Sequence, residues 1–199
     1  MQHGHQAQEQ QQCPSPVKKD QQAWGKARAH IKEHRLQPAF RQLVAPAHQR
    51  KSRPILERGL SLSFFRDLHG KMCIDRKFSF LEVLWLVQIL TLTEDLSLAE
   101  MMGDKKDAKG IPYRGQANRF VSHATAHTSF EDLAALEAYA AESGGKVGET
   151  LYFFIDVFGI NQSKVMDDDE LPQLEALIKA CKRTVLIFNK WHDPEVVKR

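Results

Sequence analysis

Cysteine is scarce in this chain. Cys13, Cys73 and Cys181 are odd in number and far apart, without paired metal-ligand spacing, which argues against both a disulfide framework and a zinc site. Long apolar runs are missing as well. The most apolar stretch, FLEVLWLVQIL at 80–90, is about half the roughly 20 residues that cross a bilayer, and it contains Glu82 and Gln88. It reads as a buried helix and argues against a membrane protein. The opening MQHGHQAQEQQQ lacks the apolar centre of a secretory signal, so the expected location is the cytoplasm. Charge of one sign is not in excess. With 28 Lys and Arg against 25 Asp and Glu, a formal charge of +3 does not by itself indicate a nucleic-acid protein. No glycine-rich phosphate loop follows the first predicted strand of the C-terminal part, so a bound nucleotide would depend on side-chain donors such as Ser122, His123 or Lys164.

What remains in 199 residues is enough for one domain with a sizeable core and a tail. Residues 1–22 are rich in glutamine, carry Pro14 and Pro16 and hold few large apolar groups, which predicts a disordered tail. Residues 23–59 form a basic helix and linker. Between 24 and 58 lie Lys26, Arg28, Lys32, Arg35, Arg41, Arg50, Lys51, Arg53 and Arg58 against only Glu33 and Glu57. Such a run is either a solvated face or a contact for an anionic surface of lipid or RNA. Pro38, Pro46 and Pro54 should interrupt it. From 60 to 110 the pattern predicts a helical lead-in. Ser79-x-x-Glu82 and Ser97-x-x-Glu100 are capping boxes, and the second helix should stop near Gly103.

The remainder, 111–199, has an α/β rhythm. RFVSH at 119–123 is a short apolar run, and TSFEDLAALEAYAAESGG is an Ala-rich helix capped by Thr128-x-x-Glu131 and stopped by Gly144 and Gly145. LYFFIDV at 151–157 is a second run. DDDELPQLEALIKACK then places acids at a helix start, with Leu174, Leu177, Ile178 and Cys181 on one stripe, and TVLIF at 184–188 is a third strand. Apolar runs without alternation, separated by helices, predict a parallel sheet with right-handed crossovers and flanking helices, a doubly wound α/β fold. With three strands in view and HDPEVVKR reading as the first turn of another helix, the expected sheet is incomplete at the C-terminus.

In such sheets ligand and catalytic groups gather beyond the carboxyl ends of the strands. The expected binding rim is therefore Ser122 and His123 after the first strand, Asp156, Asn161 and Gln162 after the second, and Asn189, Trp191 and His192 after the third. Asp156 stands out because a carboxylate within an apolar run must be paired or hydrogen-bonded. His123 and His127 lack an evident third metal ligand, so no metal site is expected. Ser122, His123 and Asp156 are also the residue types of a hydrolase triad, but adjacent strand residues face opposite ways and no nucleophile-elbow glycines are present. Asp156 as a phospho-acceptor would call for an acidic pair after the first strand, where Ser122 and His123 stand instead.

FFIDVFGINQ resembles the W-I-D-x-x-C-I-N-Q signature of heterokaryon-incompatibility (HET) domains, with Phe154 and Gly159 in place of the Trp and Cys. LIKACKRTVLIF is similar to the Y-x-x-A-x-x-V stretch that follows it there. RFVSHATAHTSFEDLAALEAY resembles the first strand and helix of TIR domains, to which HET domains are similar. The match spans about residues 118–195. The resemblance implies a flavodoxin-like, TIR-like fold used in signalling or self-recognition, acting by self-association or with protein partners. Some TIR domains cleave NAD with one glutamate near a helix start. The corresponding residue here is Glu170, with Glu175 a second candidate and NAD as the substrate. Chemically, such a carboxylate stabilises a developing oxocarbenium ion. Acids at a helix start are equally ordinary partners of the helix dipole.

Overall fold

The computed structural model describes residues 16–123, 127–143, 150–162, 170–181 and 183–187, with backbone alone at 16–19, 170 and 171. The first element is helix α1 (Pro16–Glu33), with Pro16 at the position where a missing N–H costs nothing. Residues 16–22, expected as part of the tail, are thus helical. The helix is held by packing: Ala23 and Ala27 are buried, Lys26 Nζ lies 2.7 Å from Glu82, and His30 Nε2 lies 2.8 Å from the Met72 carbonyl. Arg35 turns the chain in a left-handed conformation (φ 49°) into α2 (Leu36–Leu43), which carries Pro38 in its first turn and buries Leu36, Phe40 and Leu43. Pro46 and Pro54 each precede a single 3-10 turn.

Strand β1 (Gly59–Ser61) leads into α3 (Leu62–Lys71), α4 (Phe80–Thr91) and the short α5 (Leu98–Met101). Strands β2 (Arg114–Gly115) and β3 (Arg119–Ser122) come next, then α6 (Ser129–Glu142), β4 (Tyr152–Phe154), the single turn α7 (Asp156–Gly159), α8 (Glu170–Ala180) and β5 (Thr184–Leu186). All three predicted capping boxes are formed, at Ser79, Ser97 and Thr128, and Gly103 closes the α5 turn with φ 54°.

The sheet is mixed, in the order β2-β1-β4-β3-β5. β3 is parallel to β4 and to β5, as the run–helix–run pattern predicts, but β1 is antiparallel to both β2 and β4. An all-parallel sheet preceded by a purely helical region is therefore corrected: residues 59–61, at the border of the predicted lead-in, form a strand of the same sheet. Gly59 pairs with Gly115, and a Cβ on Gly59 would stand 2.7 Å from the Ala117 Cα, so close backbone approach selects glycine there.

β3 to β4 steps one way across the sheet and β4 to β5 steps the other, which, with the neighbouring Phe153 and Phe154 packing one with α6 and the other with α8, puts these helices on opposite faces. On the α6 side, Leu133 and Leu136 join one large core with Phe64, Leu86, Met102 and Phe153, so the N-terminal helices and the strands share a hydrophobic interior. On the α8 side, Leu177 and Cys181 pack with Ile55, Ala117 and Phe154. Ile178, expected on that buried stripe, lies one residue round the helix and is 40% exposed.

The second predicted strand is shorter than its apolar run. It ends at Phe154, because the Ile155 carbonyl accepts from the N–H groups of Phe158 and Gly159 and closes a helical turn that sinks Phe158 into the core. Gly159 lies against the buried Phe154 ring, where a Cβ would come within 2.3 Å. Among the described residues no helix is long and apolar enough to cross a membrane.

Candidate functional site

His123 follows the last residue of β3, and its side chain is only 4% exposed. Its ring packs edge-on against Phe80, centroid to centroid 4.0 Å. Each nitrogen faces a carboxylate: Nδ1 lies 3.0 Å from Asp132 Oδ2, and Nε2 lies 3.5 Å from Asp156 Oδ1. The other Asp132 oxygen faces His127, whose Nδ1 is 3.8 Å away. The result is a row of alternating imidazole and carboxylate groups, His127–Asp132–His123–Asp156, running from the buried start of α6 to the surface at α7.

Helix geometry puts Asp132 there. Ser129, Asp132, Leu133 and Leu136 are the buried positions of α6, spaced three and four apart, so Asp132 occupies a core position of the stripe. The Asp132 side chain is 3% exposed, and neither of its oxygens, nor Nδ1 of His123 or His127, makes an aligned hydrogen bond within the described residues. Such a carboxylate depends on the charge beside it. At the other end Asp156 opens α7. Its Oδ1 accepts the Val157 N–H at 2.7 Å, and 62% of its side chain reaches solvent.

Protonation follows from these neighbours. Burial works to lower the His123 pKa, but the carboxylates of Asp132 and Asp156 facing its two nitrogens outweigh it and push it up to about 9. For Asp156, burial favours the neutral acid, yet the His123 ring and the helix-start N–H hold its carboxyl below the usual range. Asp156 is the more exposed of the two carboxylates, so water screens its share and Asp132 supplies the larger pull. A neighbouring histidine behaves in the opposite way. His69, on α3, is bound through Nδ1 to the Phe65 carbonyl and through Nε2 to Ser129 Oγ, both at 3.0 Å, and burial lowers its pKa. The cavity beside it, bounded by Phe65, His69, Phe80, Ser129, Asp132 and Phe158, has room for about one water molecule, too little for a substrate.

The rest of the expected rim divides three ways. Ser122 is exposed at the tip of β3, and its carbonyl accepts the Ile187 N–H at 3.0 Å. Asn161 and Gln162 are turned toward the protein. Asn161 is 7% exposed, with Nδ2 3.5 Å from Asp95, and Gln162 Nε2 donates to the carbonyls of Asp156 and Ile160 at 3.0 and 3.2 Å. Gln88 of α4 donates in turn to the Gln162 carbonyl at 3.0 Å. Asn189, Trp191 and His192 lie outside the described residues, as do Lys164, Gly144 and Gly145; Glu170 is the first residue of α8, with its side chain outside the description.

The structure thus brings Ser122, His123 and Asp156 into one neighbourhood, but not as a triad, since both His123 nitrogens face carboxylates. His123 and His127 share Asp132, yet no group of three such side chains among the described residues is arranged to hold a metal ion.

Of the nine cations between 24 and 58, four are engaged internally. Lys26 pairs with Glu82, Arg50 with Glu94 at 2.6 Å, Arg53 with Glu57 at 3.4 Å, and the buried Arg58 with Glu100 at 3.1 Å. Arg58 also donates to the Gly159 carbonyl, tying the basic segment to α7. Arg28, Lys32, Arg35, Arg41 and Lys51 are left as its exposed cations.

No protein-family model, no curated protein and no solved structure was found to match this chain.

Proposed function

We propose that the chain is a signalling or self-recognition module of the TIR-like and HET-like kind, working in the cytoplasm by protein–protein association, not by chemistry at the strand tips. The observation that carries this reading is the internal engagement of three described tip residues, His123, Asn161 and Gln162. His123 is buried between two carboxylates, Asn161 is turned to Asp95, and Gln162 holds its own loop. A polar cluster of this sort, held by charge pairing at His123 and by hydrogen bonds at Asn161 and Gln162, fixes a loop and turns these groups away from a substrate. The cavity behind it is too small to admit one. The flavodoxin-like part of the reading is supported by the parallel order β4-β3-β5, which reverses direction after the first crossover as doubly wound sheets do.

The test is incubation of the purified protein with NAD, following nicotinamide release alongside the Glu170→Gln variant. The expected result is no release from either. Release by the wild type that disappears in Glu170→Gln would overturn the association reading in favour of a glycohydrolase.

A further inference from the structure

We propose that His123 is a proton-dependent latch, which ties the tip of β3 to the starts of α6 and α7 while its ring carries both protons and loosens them when one leaves. A neutral imidazole has one N–H and one lone pair, whereas the imidazolium has two N–H groups. His123 presents one nitrogen to Asp132 and the other to Asp156. Only the doubly protonated ring faces both carboxylates with a donor. Once a proton is lost, one carboxylate is left against a lone pair. If that carboxylate is Asp132, a charge that is 3% exposed loses its compensation, a costly arrangement that the chain relieves by moving the α6 start or the ring.

Among the described residues, the groups facing His123 leave little to replace the lost proton. From α4 comes only the Phe80 ring. From the α6 region come Asp132 itself and His127, the latter 3.8 Å from the second oxygen. From α3 comes His69, whose nitrogens are taken by Phe65 and Ser129 and whose electrostatic neighbours are Asp132 and Glu137. From α7 comes Asp156. No lysine or arginine is paired with Asp132 or Asp156 among the described residues, so His123 is the principal cation between them.

The elements that the latch joins are also joined to one another, which gives its opening a reach beyond one side chain. The Phe80 N–H donates to the His127 carbonyl at 2.7 Å and the Ser129 N–H to the Phe78 carbonyl at 3.0 Å, so the starts of α4 and α6 are stitched together next to Asp132. Asp156, through its carbonyl, holds the Gln162 side chain. Opening therefore loosens the α6 start and the 156–162 segment together, while Phe158 and the Arg58 bond to Gly159 keep that segment from leaving the core. The latch stands whether or not the protein associates; only its role as a regulator of the rim rests on the association reading.

The test uses the full chain. Imidazole 15N chemical shifts of His123 are followed across a pH titration, together with amide hydrogen exchange at 130–134 and 156–162. The expected result is a ring doubly protonated at neutral pH that loses a proton only in the alkaline range, with protection of both segments falling over the same interval. In Asp132→Asn, which keeps the shape of the side chain, both midpoints should move to lower pH together. A His123 ring that is neutral at pH 7, or one that titrates without any change in protection at either segment, overturns the proposal. If the titration and protection behave as expected but the protein remains monomeric at every pH and concentration, the latch stands and the association reading falls.

Discussion

Asp132 is the residue on which the strand-tip region turns, and its burial has a measurable consequence for pH. The folded pKa of His123, about 9, lies above its ordinary value of 6.5. Its contribution to stability is therefore complete below about 6.5 and is lost as pH rises toward about 9. The shift corresponds to at most on the order of 3 kcal/mol. Urea denaturation of the wild type at a series of pH values should show that decline, and His123→Gln should be nearly flat over the interval. Arg58 makes a second prediction. It donates to the carbonyls of Arg53 and Gly159 and pairs with Glu100, which is 3% exposed, so Arg58→Ala leaves a buried carboxylate short of its partner. A loss of about 3–5 kcal/mol is expected in urea titrations. Arg58→Met should lose less when combined with Glu100→Gln than when made alone. In the sequence, Asp156 and His123 were legible because polar residues at the ends of apolar runs are conspicuous. Asp132 was not, since an acid in a first helical turn is an ordinary partner of the dipole. The available signal was its spacing, three before Ala135 and four before Leu136, on the stripe that Ser129 and Leu133 share.

At the scale of elements, helix starts were the most readable feature, because a capping box is a local device whose partners are three residues apart. All three form as expected. They are not equal in consequence. Ser97 is 1% exposed, and its partner Glu100 also accepts from the Arg53 N–H and the Arg58 guanidinium, whereas the Thr128 pair is exposed. Ser97→Ala should therefore cost more than Thr128→Ala, with about 1 kcal/mol expected for the exposed cap. Equal shifts in thermal denaturation would contradict that ranking. The three parallel strands were readable for a similar reason: each is a short run separated from the next by a helix. β1 and β2 were not. They are three and two residues long, too short to show a period, and their pairing joins residues that lie more than fifty positions apart. The turn α7 was hidden inside an apolar run, because a buried strand and a buried helical turn have the same composition over so few residues.

For the whole molecule, the N-terminal helices and the sheet share a core, and that changes how the basic segment reads. A stretch expected to be a basic helix and linker is anchored to the sheet side through Arg58 and to α4 through Lys26 and Arg50's partner Glu94 beyond its end, so its exposed cations belong to a segment packed on the core. Its internal ion pairs link distant parts of the chain, a property that composition cannot show. The central claim is that the molecule acts through its surfaces, with His123, Asn161 and Gln162 of the strand tips engaged within. Sedimentation velocity of the full chain, from dilute to concentrated solution and with and without NAD, tests it most directly. The account predicts a mass that rises with protein concentration and is indifferent to NAD. A monomer at every concentration, or NAD consumed in the cell during the run, would contradict it.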